Sequence, residues 1–340
     1  MSPLVYVAFI AFVIAMLLLD LKLFHTEEHE PTMKESGVWV AVWIGLAIAF
    51  GVALIFIANG QSAAEYFAGY LIEYSLSVDN MFVFVLIFSY FRVPFAFQHQ
   101  VLFYGILGAM IFRGIFIALG AALIHNFEWV VYVFGAFLLI TAVRIARGTE
   151  EVHPENNPVL RFFERRFPTS TRYDGQKLFT MENGRRVATP LFVTLLFVET
   201  TDIVFAVDSI PAIFAVTEDP FIVLTSNVFA ILGLRALYFL LAGSMDRFHL
   251  LKYGLAVILA FVGTKMLLAA VDVHVPIWLS LSVIVAVLAV TVILSLRIPP
   301  KEGHGANLQF PKADEIDRIE VPRVAEPDDA PPPDESPGRR

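Results

Sequence analysis

Cysteine is absent from all 340 residues, which removes disulfides, thiolate metal sites and thiol nucleophiles together. Charged side chains make up only 16% of the chain against 57% hydrophobic, a balance that excludes a single water-soluble globular domain. Histidine is missing from the interior of every long apolar stretch, since all eight lie in loops or near stretch ends, so imidazole ligation within a bilayer is excluded too. There is no Gly-rich phosphate cradle and no catalytic triad, which argues against ATP-driven work and against an enzyme. The formal net charge of -8 gives nucleic acid nothing to bind.

Long apolar runs are what the chain has in abundance. A membrane span needs about 20 mainly apolar residues, and nine stretches fit: about 4–21, 37–58, 66–90, 100–124, 129–147, 190–215, 221–243, 253–271 and 276–297. The first lacks a basic flank before it and a small-residue cleavage site after it, so it reads as a retained span rather than a signal peptide. The connections separate by charge. The N-terminus and the turns near 59–65, 125–128, 216–220 and 272–275 hold no Lys or Arg, whereas the alternate connections hold nearly all of them, including Arg161, Arg165, Arg166, Arg185 and Arg186. The positive-inside rule makes the second set cytoplasmic, with the N-terminus out and the C-terminus in. The expected class is therefore an all-α membrane protein of about nine transmembrane helices in a bacterial inner membrane. Two N-terminal helices (1–62) precede a three-helix unit (63–147), a polar cytoplasmic loop (148–189) with a short helix near Pro158 to Phe167, a second three-helix unit (190–271) and a last helix (272–298). The acidic, Pro-rich segment 299–340 has the composition of a disordered tail.

The two three-helix units carry one signature. Glu73-Tyr-Ser-Leu-Ser-Val-Asp79-Asn80 is matched by Asp202-Ile-Val-Phe-Ala-Val-Asp208-Ser209, and Ile106 to Gly108 by Ile231 to Gly233. Arg144 and Lys265 occupy comparable places in the third helix of each. An odd number of spans per unit inverts the second relative to the first, so two inverted repeats form the core, an architecture whose substrate site lies near the midplane. In unbroken helices Glu73 and Asn80 share one face, as do Asp202 and Ser209, while Asp79 and Asp208 point about 120° away. Unwinding near Ser75 and Ser77, and before Pro211, would let all of them reach one ion and free backbone carbonyls as further ligands.

Glu199, one turn before Asp202, brings the intramembrane carboxylates to five. On insertion scales the set costs of order 12–17 kcal/mol at span centres unless it is paired, protonated or metal-bound. Arg113, Arg235 and Lys265 offer one way to offset it, as structural ion pairs. The other is a cation: Glu73, Asp79, Asn80, Glu199, Asp202, Asp208 and Ser209 are an all-oxygen set that suits Mg, Ca or Mn far better than Cu or Zn. Two further clusters have bland readings as solvated loops. They are His25 and His29 among Glu27, Glu28 and Glu30, and an outer acidic rim of Glu128, Glu218, Asp219 and Asp272. Phe82, Phe84, Phe88 and Phe229 read as lipid-facing or packing groups.

The stretches Glu73 to Asn80, Phe88 to Pro94, Ala188 to Leu191, Glu199 to Val216 and Phe221 to Gly243 closely resemble the TerC family, named for tellurium resistance, and in particular its alkaline-inducible branch. The likeness runs from roughly Val5 to Leu296. It implies an inner-membrane exporter of Mn²⁺, with Mn²⁺ as transported ion and no resident cofactor, in which Glu73, Asp79, Glu199, Asp202 and Asp208 match the family's transmembrane acids. Thr200 and Thr201 stand where the family usually has Leu-Ser, and the tail after Pro299 lies outside the family pattern. Members are also linked to tellurite resistance and, in chloroplasts, to membrane-protein assembly, which keeps open a second class of function in which the acids are structural.

The charge separation generates a topology test. A reporter fused at Asn156 is expected on the cytoplasmic side and one at Asp219 on the opposite side; finding both on one side would break the inverted-repeat argument.

Overall fold

The computed structural model describes residues 3–24, 32–127, 129–147, 157–182, 184–242, 250–269, 273, 275–298, 311 and 321. The His25 to Glu30 cluster, read above as a solvated loop, and Glu128 and Asp272 of the acidic rim, lie outside them. So does all of the tail except Pro311 and Val321.

Every expected apolar stretch is helical: α1 (Pro3–Phe24), α2 (Met33–Ile57), α3 (Gly60–Tyr90), α4 (Phe95–Asn126), α5 (Val130–Arg147), α7 (Pro190–Phe214), the pair α8 (Pro220–Leu232) and α9 (Leu234–Ala242), α10 (Leu251–Ala269) and α11 (Ile277–Arg297). Seven of these are long and apolar enough to cross a bilayer, and α8–α9 makes an eighth if the bent pair is one span. In α1 the apolar part is the shorter Leu4–Leu18. The chain is a multi-pass, all-α membrane protein. Helix starts follow from local chemistry. Thr32 and Glu35 close a capping box on α2, Asn59 caps α3 through Ser62 N–H at 2.8 Å, and Pro190 and Pro220 sit in the first turns of α7 and α8. Asp219, expected in the acidic rim, is the α8 cap: its Oδ1 accepts from Phe221 N–H at 2.9 Å.

Two expectations about helix continuity are corrected. α3 and α7 are unbroken through Ser75, Ser77 and Pro211. The Ser75 hydroxyl simply bonds back to Leu71 O within its own helix, and Pro211 lies three residues before the α7 end, so that losing its one bond to the preceding turn leaves less than a turn of helix beyond it. The break falls instead at Gly233, where α8 and α9 meet at 41°. There a Cβ would lie 3.2 Å from Trp43 Cβ of α2, so a small residue lets α2 approach the bend.

α3 is the most deeply buried span, and the others are arranged about it. Phe84, Phe88 and Phe229 are buried packing groups; the Phe229 ring lies tilted against Phe50 at 4.9 Å and against Phe9 at 6.0 Å, which docks α1 on α2 and α8. The main helix contacts are kept when α3, α4 and α5 are exchanged with α7, α8–α9 and α10: α3 packs on α8 as α4 packs on α7, and α5 packs on α10. The α5–α10 crossing repeats the exchange atom by atom. A Cβ on Gly135 would lie 3.1 Å from Gly263 O and 3.0 Å from Leu267, and a Cβ on Gly263 would lie 2.9 Å from Gly135 O and 3.3 Å from Leu139. This register matches Gly135 with Gly263 and puts Lys265 opposite Phe137. Arg144 and Lys265 are therefore not equivalent positions, because in helices without internal homology of sequence a shared charge sign is a poor guide to register.

The polar loop has regular structure in its described residues, 157–182 and 184–189. α6 (Pro158–Arg166) lies where a short helix is expected, and it is followed by an antiparallel hairpin of β1 (Phe179–Glu182) and β2 (Arg185–Ala188). Thr180 and Lys177 hydrogen-bond the Asp174 carboxylate and hold it below its ordinary range. Tyr173 Oη donates to Phe91 O at 2.8 Å, tying the loop to the end of α3. That end is a Schellman turn: Val93 N–H reaches Phe88 O, Arg92 N–H reaches Ser89 O, and Arg92 takes φ 51 where glycine is usual. From the tail, Val321 is buried and its N–H donates to Thr171 O at 3.0 Å.

The glycine crossing generates a packing test. Gly263→Leu forces α5 and α10 apart and is expected to cost about 1–3 kcal/mol, lowering folded yield and thermal midpoint in detergent. Gly45→Leu, at a glycine with open space around it, serves as the control. Equal tolerance of both would show that the close approach is not a constraint.

Candidate functional site

The acidic signature lands on the buried side of α3 and α7. Glu73, Asp202 and Ser209 are buried, and between them lies the guanidinium of Arg113, from α4, itself only 1% exposed. Arg113 Nη1 forms an ion pair with Glu73 Oε1. Its Nη2 and Nε form a fork on Asp202, at 3.1 Å to Oδ1 and 3.4 Å to Oδ2, and Nη1 also lies 3.5 Å from Ser209 Oγ. A guanidinium has donors only, arranged in a plane, and this one spends them on two carboxylates from the two repeats.

Glu73 is held on its other sides as well. Ser77 Oγ donates to Oε1 at 3.3 Å and Asn227 Nδ2, from α8, donates to Oε2 at 3.1 Å. Four helices thus meet at one charge cluster. Two carboxylates against one guanidinium leave a net negative charge there, in surroundings where an unpaired charge is costly.

Beside these acids, Asn227 Oδ1 and Glu199 Oε2 are buried acceptor oxygens with no hydrogen-bond partner. Glu199 packs over α4 at Gly108, and a Cβ at Gly108 would overlap its carboxylate. The Ile-Leu-Gly pattern thus has a concrete use in α4: its glycine leaves room for an acid.

Asp79 and Asp208 stand six residues beyond Glu73 and Asp202 on the same unbroken helices, which is about 9 Å along the axis and about 120° around it. Both are half-buried. Asp208 Oδ1 accepts from Thr141 Oγ1 of α5 at 3.1 Å, and Asn80 is buried beside Asp79. Thr217, past the α7 end, meets Glu65 at the α3 start, so the two helices run antiparallel and the acids form a central pair with Asp79 displaced to one side and Asp208 to the other; among the described residues no three acidic or imidazole side chains converge at ligand distance. On the side of the α3 start, Glu65 accepts from Thr217 Oγ1 at 2.6 Å, with Lys265 of α10 in electrostatic range.

Asn227 and Thr141 are partners that the acidic signature did not point to. The one available signal was the run Thr225-Ser226-Asn227, polar and fully buried in an otherwise apolar helix.

The description "Integral membrane protein TerC family" matches residues 58–302. An uncharacterized membrane protein of Myxococcus xanthus is 50% identical over 92% of this chain and 97% of its own length. Alx of Escherichia coli (strain K12), named as a candidate membrane-bound redox modulator, is 48% identical over 86% of this chain and 94% of its own. The chloroplastic thylakoid membrane protein TERC of Arabidopsis thaliana is 45% identical over 79% of this chain and 70% of its own. No solved structure matches.

The contact at Gly108 generates a coupled test. Gly108→Ala displaces the Glu199 carboxylate and is expected to lower the thermal midpoint of the purified protein. In a Glu199→Ala background the same change is expected to be tolerated, a non-additivity that a double-mutant cycle reads directly. Additive effects would place Glu199 away from Gly108.

Proposed function

The chain belongs to the TerC family of integral membrane proteins, and from that premise we propose that it transports a divalent metal cation, Mn²⁺, out of the cytoplasm across a bacterial inner membrane, with its N-terminus outside and its C-terminus inside. The observation that carries this reading is the enclosed cluster where α3, α4, α7 and α8 meet. It holds an excess of acid over base, and it is flanked by two buried acceptor oxygens, on Glu199 and Asn227, that make no hydrogen bond. Carboxylate, amide and hydroxyl oxygens with no thiolate and no imidazole suit a hard divalent ion. The exchange of α3, α4, α5 with α7, α8–α9, α10 supports two inverted repeats, whose relative motion would carry the ion past the midplane. In this reading Glu73, Glu199, Asp202 and Ser209 form the central level. Asp79 with Asn80 lies on one side of that level along the path and Asp208 on the other, since α3 and α7 run antiparallel.

A second reading has one specific observation in its favour. Arg113 already neutralises Glu73 and Asp202 in good geometry, as a bundle that merely needed pinning would require. On that reading the protein is a scaffold for membrane-protein assembly or a stress-resistance factor. A redox role of the kind named for the Escherichia coli relative would have to run without thiols of its own, since the chain has no cysteine.

Inside-out vesicles separate the readings. Vesicles carrying the protein are expected to accumulate Mn²⁺ but not Cu or Zn. Asp79→Asn and Asp208→Asn are each expected to keep near-normal membrane abundance while flux falls by about tenfold or more, the equivalent of losing at least ~1.4 kcal/mol of ion binding. Abundance and flux lost together would favour the scaffold, and accumulation of Zn in place of Mn²⁺ would overturn the choice of ion.

A further inference from the structure

Glu73 and Asp202 are the equivalent first acids of the two repeats, yet a single basic group serves both. Arg113 comes from the first repeat, so at this point two equivalent acids share one base. All four of the carboxylate oxygens are engaged, three of them by the guanidinium and the fourth by Asn227. Hydroxyls of Ser77 and Ser209 complete an oxygen-lined surround. A metal ion taking the same oxygens at the short distances that divalent ions require, about 2.0–2.6 Å, leaves no room for the guanidinium on them. Occupancy by Arg113 and occupancy by a metal are mutually exclusive.

Resting on the transport reading above, we infer that Arg113 is a tethered competitor for the transported ion: it fills the Glu73–Asp202 site when no metal is bound, and is displaced when metal binds. The tether gives it a role that a free cation lacks. An ion must leave with the cargo side of the cycle, whereas Arg113 stays on α4 and can re-enter the site as the ion departs. It thereby weakens binding and speeds release. The same substitution keeps the two bare carboxylates from facing each other between cargoes, which would otherwise hold the empty carrier apart or demand protons. The unpartnered oxygens of Glu199 and Asn227 lie beside the cluster, where they offer an arriving cation ligands that Arg113 does not use.

Arg113→Lys isolates the competition. The ammonium keeps the charge but lacks the planar fork that holds Asp202 at two points while reaching Glu73, so it is a weaker occupant of the site. In vesicle assays KM for Mn²⁺ is expected to fall by about tenfold, with kcat falling alongside it. A purely structural Arg113 instead predicts reduced abundance of folded protein with KM unchanged. Arg113→Gln removes the competitor altogether, and purified Arg113→Gln protein is expected to gain a larger rise in thermal midpoint from added Mn²⁺ than the wild type, because no ion pair has to break first. Wild-type protein that neither transports nor is stabilised by Mn²⁺ would sink the transport reading and this one together. Wild-type transport with an unchanged or raised KM in Arg113→Lys, and no extra Mn²⁺ stabilisation in Arg113→Gln, would sink the competitor role alone.

Discussion

A guanidinium cannot sit in hydrocarbon without partners, and the packing of four helices is arranged to give Arg113 its partners. Its desolvation is offset only if Glu73 and Asp202 approach together, and they sit on different helices in different halves of the chain. That requirement sets the spacing of α3, α4 and α7, and Asn227 brings in α8 through the second oxygen of Glu73. Lipid supplies no hydrophobic drive to press helices together, so specific polar contacts and close small-residue crossings have to do it. The cluster provides the first at the centre of the bundle, and the Gly135–Gly263 crossing provides the second at its flank.

These two features differ in mechanical character. Where α5 meets α10, backbone touches backbone, and the contact tolerates neither sliding nor widening. At the cluster, long side chains span the gap, so the same set of groups can be redistributed while the helices shift. The α3 end of the bundle is braced by Tyr173 against the Phe91 carbonyl and by the Arg92 turn, which keeps a left-handed non-glycine residue that costs about 1–2 kcal/mol. Strain of that kind is retained only where the surroundings over-determine the turn.

Much of this was legible in the sequence, because in a bilayer apolar length and charge placement are nearly sufficient descriptors. All nine apolar stretches are helices, α6 lies where a short helix was expected, and the paired acidic signatures do face the interior. Legibility failed where a local rule has more than one outcome. Ser75, Ser77 and Pro211 are compatible with unwinding, but a hydroxyl that bonds its own helix and a proline near a helix end leave α3 and α7 intact. Gly233, in a motif shared with a straight helix at Gly108, breaks α8 from α9 because α2 packs against it there. The Asn183-Gly184 dipeptide was a hairpin signal in plain view between β1 and β2, passed over because the loop reads as polar throughout. Arg113 stood among three bases expected to offset the acids, but sequence order does not tell that it, forty residues from Glu73 and eighty-nine from Asp202, is the one that joins them.

The placement of those three residues along the chain has a consequence for biogenesis. Glu73 and Arg113 both belong to the first repeat, so a nascent chain can neutralise each with the other as a helical hairpin while it leaves the translocon. Asp202 follows eighty-nine residues after Arg113, about 4–18 s later at ordinary elongation rates. During that interval the guanidinium has one carboxylate rather than two, and the second repeat, when it arrives, carries an acid with no basic partner on its own α7. The second repeat therefore docks onto a first half whose guanidinium still has N–H donors to give to Asp202.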